Sequence, residues 1–171
     1  MTPFQWRGQR LIADFAPTEA ALLHQVVGEV RQVLDAQEPD TAMAVGSAVD
    51  PVAARLLPDG HRSDADLAQD YRSLTESGLR TEKLADAELL LDTLRPAGGR
   101  VELDQSQAEA WLRTLNDVRL AIGVRLDVQE ADDPLVRAEE SGDPRWSAYS
   151  WLTAVQGLLV EVLAGPRARG T

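Results

Sequence analysis

The sequence predicts a mainly α fold, a helical bundle of about five to six helices with a small two-stranded β element arranged as two strand-helix units. Three observations point there. Apolar residues recur at spacings of three and four over most of the chain. Pro, Gly and Asp gather in a few short stretches between those patterns. Two short alternating segments each run directly into a helical pattern.

Residues 4–15 hold the first alternation. Leu11, Ala13 and Phe15 alternate with Ile12 and Asp14, and Gly8 separates two strand-like stretches, which fits a small hairpin or a single strand. Pro17 stands where a helix begins, because its fixed φ suits the first turn and its missing N–H is not needed there. Ala20, Leu23, Val27, Val30 and Leu34 then form one stripe, predicting an amphipathic helix over about 17–36. Residues 37–62 carry loop chemistry, with a short helix at about 51–57 capped by Asp50 and started by Pro51. Ser63 and Asp66 open a helical region to about Leu94, with an interruption near Ser77 and Gly78 where Thr75 would cap the second half. Pro96, Gly98 and Gly99 end it.

The grammar of the first unit then returns. Residues 100–104 read as a strand, Ser106 as an N-cap and Glu109 as its capping-box partner, and a central helix follows to Leu126. At a constant offset Arg10 matches Arg100, Asp14 matches Asp104, and Glu19 and Ala20 match Glu109 and Ala110. A lone strand would leave its backbone groups unpaired, so the two strands are expected side by side. Beyond an acidic linker at Asp132 and Asp133, Pro134 starts one or two turns, and Gly142 and Pro144 break the chain again.

The last helix, at about 147–164, is the most apolar segment. Ala148, Trp151, Val155, Leu158 and Val162 make one stripe, and Leu152, Leu159 and Leu163 a second. Such a helix belongs in the centre of a bundle or at a subunit interface, which leaves a homodimer open. The expected core joins Trp111, Leu115, Val118 and Ile122 to Trp151, Val155, Leu158 and Val162. Trp6 and Trp146, near chain breaks, are candidate exposed anchors for a partner. One helical domain over 1–164 and a disordered tail over 165–171 complete the expectation.

A net charge of −11 opposes the counterion-release term that supplies most nonspecific nucleic-acid affinity, so direct DNA binding is not expected. Arg7 and Arg10, and Arg113, Arg119 and Arg125, are the candidates for a local basic patch. On the central helix Glu109, Arg113 and Asp117 lie four apart, so intrahelical pairing competes with that role. The chain has no cysteine, which excludes disulfides, thiolate metal sites and cysteine nucleophiles. No apolar run spans a bilayer and no secretory pattern opens the sequence, so the cytoplasm is the expected compartment.

The search for chemistry is negative: there is no Gly-x-Ser-x-Gly elbow, no phosphate-binding glycine loop and no His-Glu-x-x-His helix. No catalytic residue, cofactor or metal is therefore expected. His24 lies beside the apolar stripe of its helix, as a partly covered surface histidine would. His61 stands among Asp59, Asp64, Asp66 and Asp70, which could serve a hard cation but equally suit a solvated turn entering a helix N-terminus. The pairs Asp132 with Asp133 and Glu139 with Glu140 could do acid-base work only where burial splits their pKa values.

Residues 115–126 are the most distinctive string: Asn116, Asp117 and Arg119 interrupt an otherwise regular apolar period, followed by Gly123, Arg125 and Leu126. With residues 71–76 and 149–153, this string resembles an actinobacterial domain-of-unknown-function family that includes the AosR-like oxidative-stress transcriptional regulators. The likeness covers most of the chain, from residue 9 to 162. It implies a non-enzymatic role in transcription regulation and the stress response, exercised through a protein partner such as a sigma factor or another transcription component. It singles out Tyr71, Arg72, Thr75 and Glu76 together with Asn116, Asp117, Arg119 and Arg125 as an interaction or structural motif. The structural alternative places Tyr71 in the core and pairs Arg72 with an acid such as Asp117.

The resemblance also implies oxidant sensing by a cysteine pair in the family's redox-responsive members, which this chain lacks. Peroxide should therefore form no disulfide in it, and thiol reagents should leave its activity unchanged. A direct DNA-binding regulator, and a helical enzyme or small-molecule binder, are the alternative readings.

Overall fold

The computed structural model describes residues 1, 3–36, 50–57 and 67–165, with the side chains of 67–75 left aside. Among these residues six helices and three strands follow one another as β1 (Gln5–Arg7), β2 (Arg10–Phe15), α1 (Pro17–Asp35), α2 (Pro51–Leu56), α3 (Leu67–Thr93), β3 (Gly99–Leu103), α4 (Gln105–Leu126), α5 (Pro134–Ser141) and α6 (Pro144–Ala164). The fold is mainly helical, as the periodicity predicts.

The sheet has one strand more than expected. It is antiparallel in the order β1-β2-β3, because the chain turns back at Gly8, where φ is +62°, and lays Trp6 against Leu11. β2 and β3 do lie side by side, Leu11 opposite Leu103 and Ala13 opposite Val101. Leu11, Ala13, Phe15, Val101 and Leu103 all turn into the core, so the inward positions of the two strand-helix units correspond. Asp14 and Arg100 pair across the outer face at 3.3 Å.

The helix starts do not correspond. α4 is capped by Asp104 rather than Ser106: its carboxylate accepts the Gln107 N–H at 2.9 Å, and the Gln107 side chain accepts the Asp104 N–H at 2.9 Å. A carboxylate placed directly after the strand caps as well as a serine does, so α4 starts earlier and Glu109 is left outside the box. In α1 the cap residue Ala16 offers no side-chain acceptor, and only the return half forms, Ala16 N–H to Glu19 Oε2 at 2.7 Å. Asp50 caps α2 as expected, accepting the Val52 N–H at 2.7 Å.

α3 runs through Thr75, Ser77 and Gly78 without a break, so Thr75 caps nothing. An exposed helical glycine costs only about 1 kcal/mol against alanine, and the packing of Ala87, Leu90 and Leu94 beyond it outweighs that. Gly98 is different. At φ +74° it turns the chain from α3 into β3, and a Cβ there would stand 2.6 Å from the Phe15 carbonyl oxygen. Gly98→Ala is expected to cost at least about 2 kcal/mol, measured as a lower urea midpoint with unchanged slope.

α4 is the centre of the bundle, packed against α1, α2, α3, α6 and the sheet. For the last helix the sequence left open the centre of a bundle or a subunit interface; α6 lies to one side, mainly on α4 and α5. It buries Leu152, Val155 and Leu159, leaving Leu158 and Val160 exposed. Of the expected core, Trp111, Leu115, Val118, Ile122 and Val155 are buried, Trp151 and Val162 are half-buried against it, and Leu158 is outside. A helix apolar nearly all round carries no instruction about which stripe turns inward.

The two tryptophans expected as exposed anchors are covered instead. Trp146 is buried between α5 and α6, with the Arg137 guanidinium 5.4 Å above its ring and Tyr149 edge-on to it. Trp6 is half-buried and donates Nε1–H to the Val162 carbonyl at 3.1 Å, tying the sheet to α6. His24 is half-covered, its Nε2 2.6 Å from the Leu94 carbonyl oxygen. His61 with Asp59, Asp64 and Asp66, the Asp70 side chain, and residues 166–171 of the expected tail lie outside the described residues.

Candidate functional site

α3 and α4 run antiparallel and exchange two charged rungs. Lys83 Nζ donates to both carboxylate oxygens of Asp117, at 2.7 and 2.8 Å. Arg113 grips Asp86 with Nε at 2.6 Å and Nη2 at 2.9 Å. Each helix thus carries a cation and an acid on the shared side, Lys83 before Asp86 and Arg113 before Asp117. In the antiparallel register every cation meets an acid. A slip by one turn would oppose Lys83 and Arg113, so the rungs hold the register as well as the contact.

The signature string therefore bonds outward in both directions. Asp117 reaches α3, and Asn116 accepts the Gln156 amide of α6 at 3.4 Å. Asn and Asp are poor helix-interior residues unless their side chains find such partners. Around them lies a groove of about 330 Å³, with Leu79, Lys83 and Asp86 on one wall and Gln156 and Val160 on the other.

Asp117 is 6% exposed, and burial pushes its carboxyl above the ordinary 3.8 even though the bond to Lys83 pulls the other way. The folded chain then binds this proton more readily than the unfolded chain. This group's titration adds stability as pH falls through its raised value toward 3.8, and the addition is lost as pH rises again. Asp117→Asn removes that term, so the variant should lose stability more steeply than the parent between neutral pH and about pH 4 in a urea series.

Of the other residues that the sequence marked, Arg125 pairs with Glu29 of α1 at 2.5 Å, and Glu76 pairs with Arg80 within α3 at 2.7 Å. Arg119 makes no hydrogen bond or ion pair among the described residues, and its Nε is buried. Tyr71, Arg72 and Thr75 lie on the backbone of α3, and their side chains fall outside the described residues. The acid proposed for Arg72, Asp117, is held by Lys83.

The intrahelical pairing expected for Arg113 gives way to the longer reach to Asp86, and Arg125 is likewise spent on another helix. Lys83, Asp86 and Gln156 were not singled out by sequence. Lys83 did carry a signal: it is the lone lysine among seventeen basic residues.

Comparison with known proteins gives the chain its relatives. The family described as a domain of unknown function, DUF2017, matches residues 1–163. The oxidative stress regulator AosR of Mycobacterium tuberculosis is 35% identical, with 94% of this chain and 85% of that protein covered. The protein of the same name in Mycobacterium bovis matches to the same extent. A putative oxidative stress regulator AosR of Mycobacterium leprae is 34% identical, with 91% of this chain and 83% of that protein covered. No solved structure matches. No helix among the described residues is long and apolar enough to cross a membrane. With a match across nearly its whole length and relatives of this identity, the chain belongs to the DUF2017 family, alongside the mycobacterial oxidative stress regulators.

Proposed function

We propose that this protein is a cytoplasmic regulator of an oxidative-stress response that acts by binding another protein, a component of transcription such as a sigma factor. Its kinship with named oxidative stress regulators is the observation that carries the reading. The surface offered is the groove at Asn116 and Asp117, with Gln156 and Val160 of α6 one turn apart on its far wall and Val160 45% exposed. Apolar side chains on an acidic chain favour a partner helix with an apolar stripe and basic flanks. Arg113 and Arg125 are already paired with acids, which leaves the DNA-binding alternative without their charge.

A photo-crosslinking residue at Val160, introduced in the native host and activated under peroxide, tests this. The expected product is a crosslink to a transcription component, lost when Gln156 on the same wall is changed to Lys while the melting temperature holds. Sequence-specific protection of promoter DNA by the purified chain alone would overturn the proposal.

A further inference from the structure

About two turns beyond the groove just described, α4 lines a second, open cavity of about 400 Å³, bordered by Arg55 of α2, Tyr149 of α6 and the turn at Asp127 and Val128. Its charge is unbalanced. Arg55 and Arg119 make no ion pair or hydrogen bond among the described residues, whereas Arg113, Arg125, Arg137 and Arg145 each hold an acid. Arg119 Nε, moreover, is buried without an acceptor. A buried donor left unmade costs the full loss of its hydration, and a guanidinium cannot shed its charge to escape that cost. Asp127, also in the lining, offsets one of the two positive charges but bonds the Gln129 amide at 3.0 Å and pairs with neither arginine, so one positive charge remains in excess.

The remaining walls are apolar. Leu120, Val124 and Val128 line the cavity, and at Gly123 a Cβ would touch the Tyr149 ring at 3.5 Å, an ordinary contact. Glycine is otherwise a poor residue for this helix, so its presence keeps space open beside the tyrosine.

We propose that this cavity is a binding site for a small organic anion, a carboxylate or phosphate carried on a flat apolar body, with Arg119 and Arg55 holding the anionic group and Tyr149 and the floor at Gly123 taking the body. Guanidinium forks match both anions, which share planar or tetrahedral oxygens able to accept paired donors. The inference goes beyond the regulatory reading and does not depend on it, since no partner protein enters the argument.

The test is thermal melting and calorimetric titration of the full chain with phenyl phosphate and with benzoate, and with inorganic phosphate and benzyl alcohol as the charge-only and body-only probes. One of the two aromatic acids is expected to raise the melting temperature well above either control, and the stronger of the two identifies the anionic group. Arg119→Gln should weaken that binding by about tenfold to a hundredfold, as loss of a charged hydrogen bond does. Gly123→Ala supplies a second reading: it should leave the fold at least as stable, because the added methyl suits the helix and meets no clash, yet weaken binding several-fold by filling the floor. The proposal is overturned by no response to either aromatic acid, by an equal response to inorganic phosphate or benzyl alcohol, or by binding that survives both substitutions.

Discussion

Lys83→Met, with Asp117 left in place, is expected to destabilise the protein by about 3–5 kcal/mol, because it strands a buried carboxylate whose two oxygens both lose their donor. The reverse change should cost less. In Asp117→Leu the ammonium that remains is 17% exposed on a flexible stem and can swing into water, whereas the Asp117 carboxylate, 8% exposed on a short stem, has far less reach. The double variant Lys83→Met/Asp117→Leu should recover most of the loss, since an apolar pair of similar volume often replaces a buried ion pair at little cost. Urea denaturation of the four proteins closes the cycle. Losses that simply add in the double variant would show that Lys83 and Asp117 act separately and would refute the role given to this rung.

Trp111→Ala should have an effect of the same size, about 3–5 kcal/mol, for a different reason. The indole is fully buried where α4 meets the sheet. Phe4 packs edge-on against it at 6.5 Å between centroids, Phe15 lies tilted over it at 5.6 Å, and its Nε1–H donates to Thr93 Oγ1 at 2.9 Å. Truncation opens a cavity among groups held by β2, by α3 and by the chain just before β1, so little can collapse into it. Trp111→Phe keeps much of the volume and loses the hydrogen bond, so it should cost markedly less. A measured loss below about 1 kcal/mol for the alanine variant would contradict the central place of this residue.

A DNA-binding reading is weakened by where arginines go, and that could be read only in three dimensions. In the sequence Arg113 has acids four residues away on either side, and nothing local shows that it passes them over for Asp86. The signature string was visible as an oddity, because Asn116 and Asp117 break a helical period. Their partners were not, since Lys83 and Gln156 lie 34 and 40 residues away.

The sequence by itself determined the local elements. Pro17, Asp50 with Pro51, and Gly98 act within a few residues of themselves, so α1, α2 and the end of α3 could be placed from them. Alternation likewise determined which side of β2 and β3 faces inward. Tertiary structure decided the rest. It chose Asp104 over Ser106 as a cap, placed α4 rather than the more apolar α6 at the centre, and buried Trp146 under α5. The physical reason is common to all three: each was a choice between locally equivalent options, two competent caps, two apolar helices, a tryptophan covered or bare. Such choices are made only by the neighbours that complete the packing, and a linear pattern does not carry them.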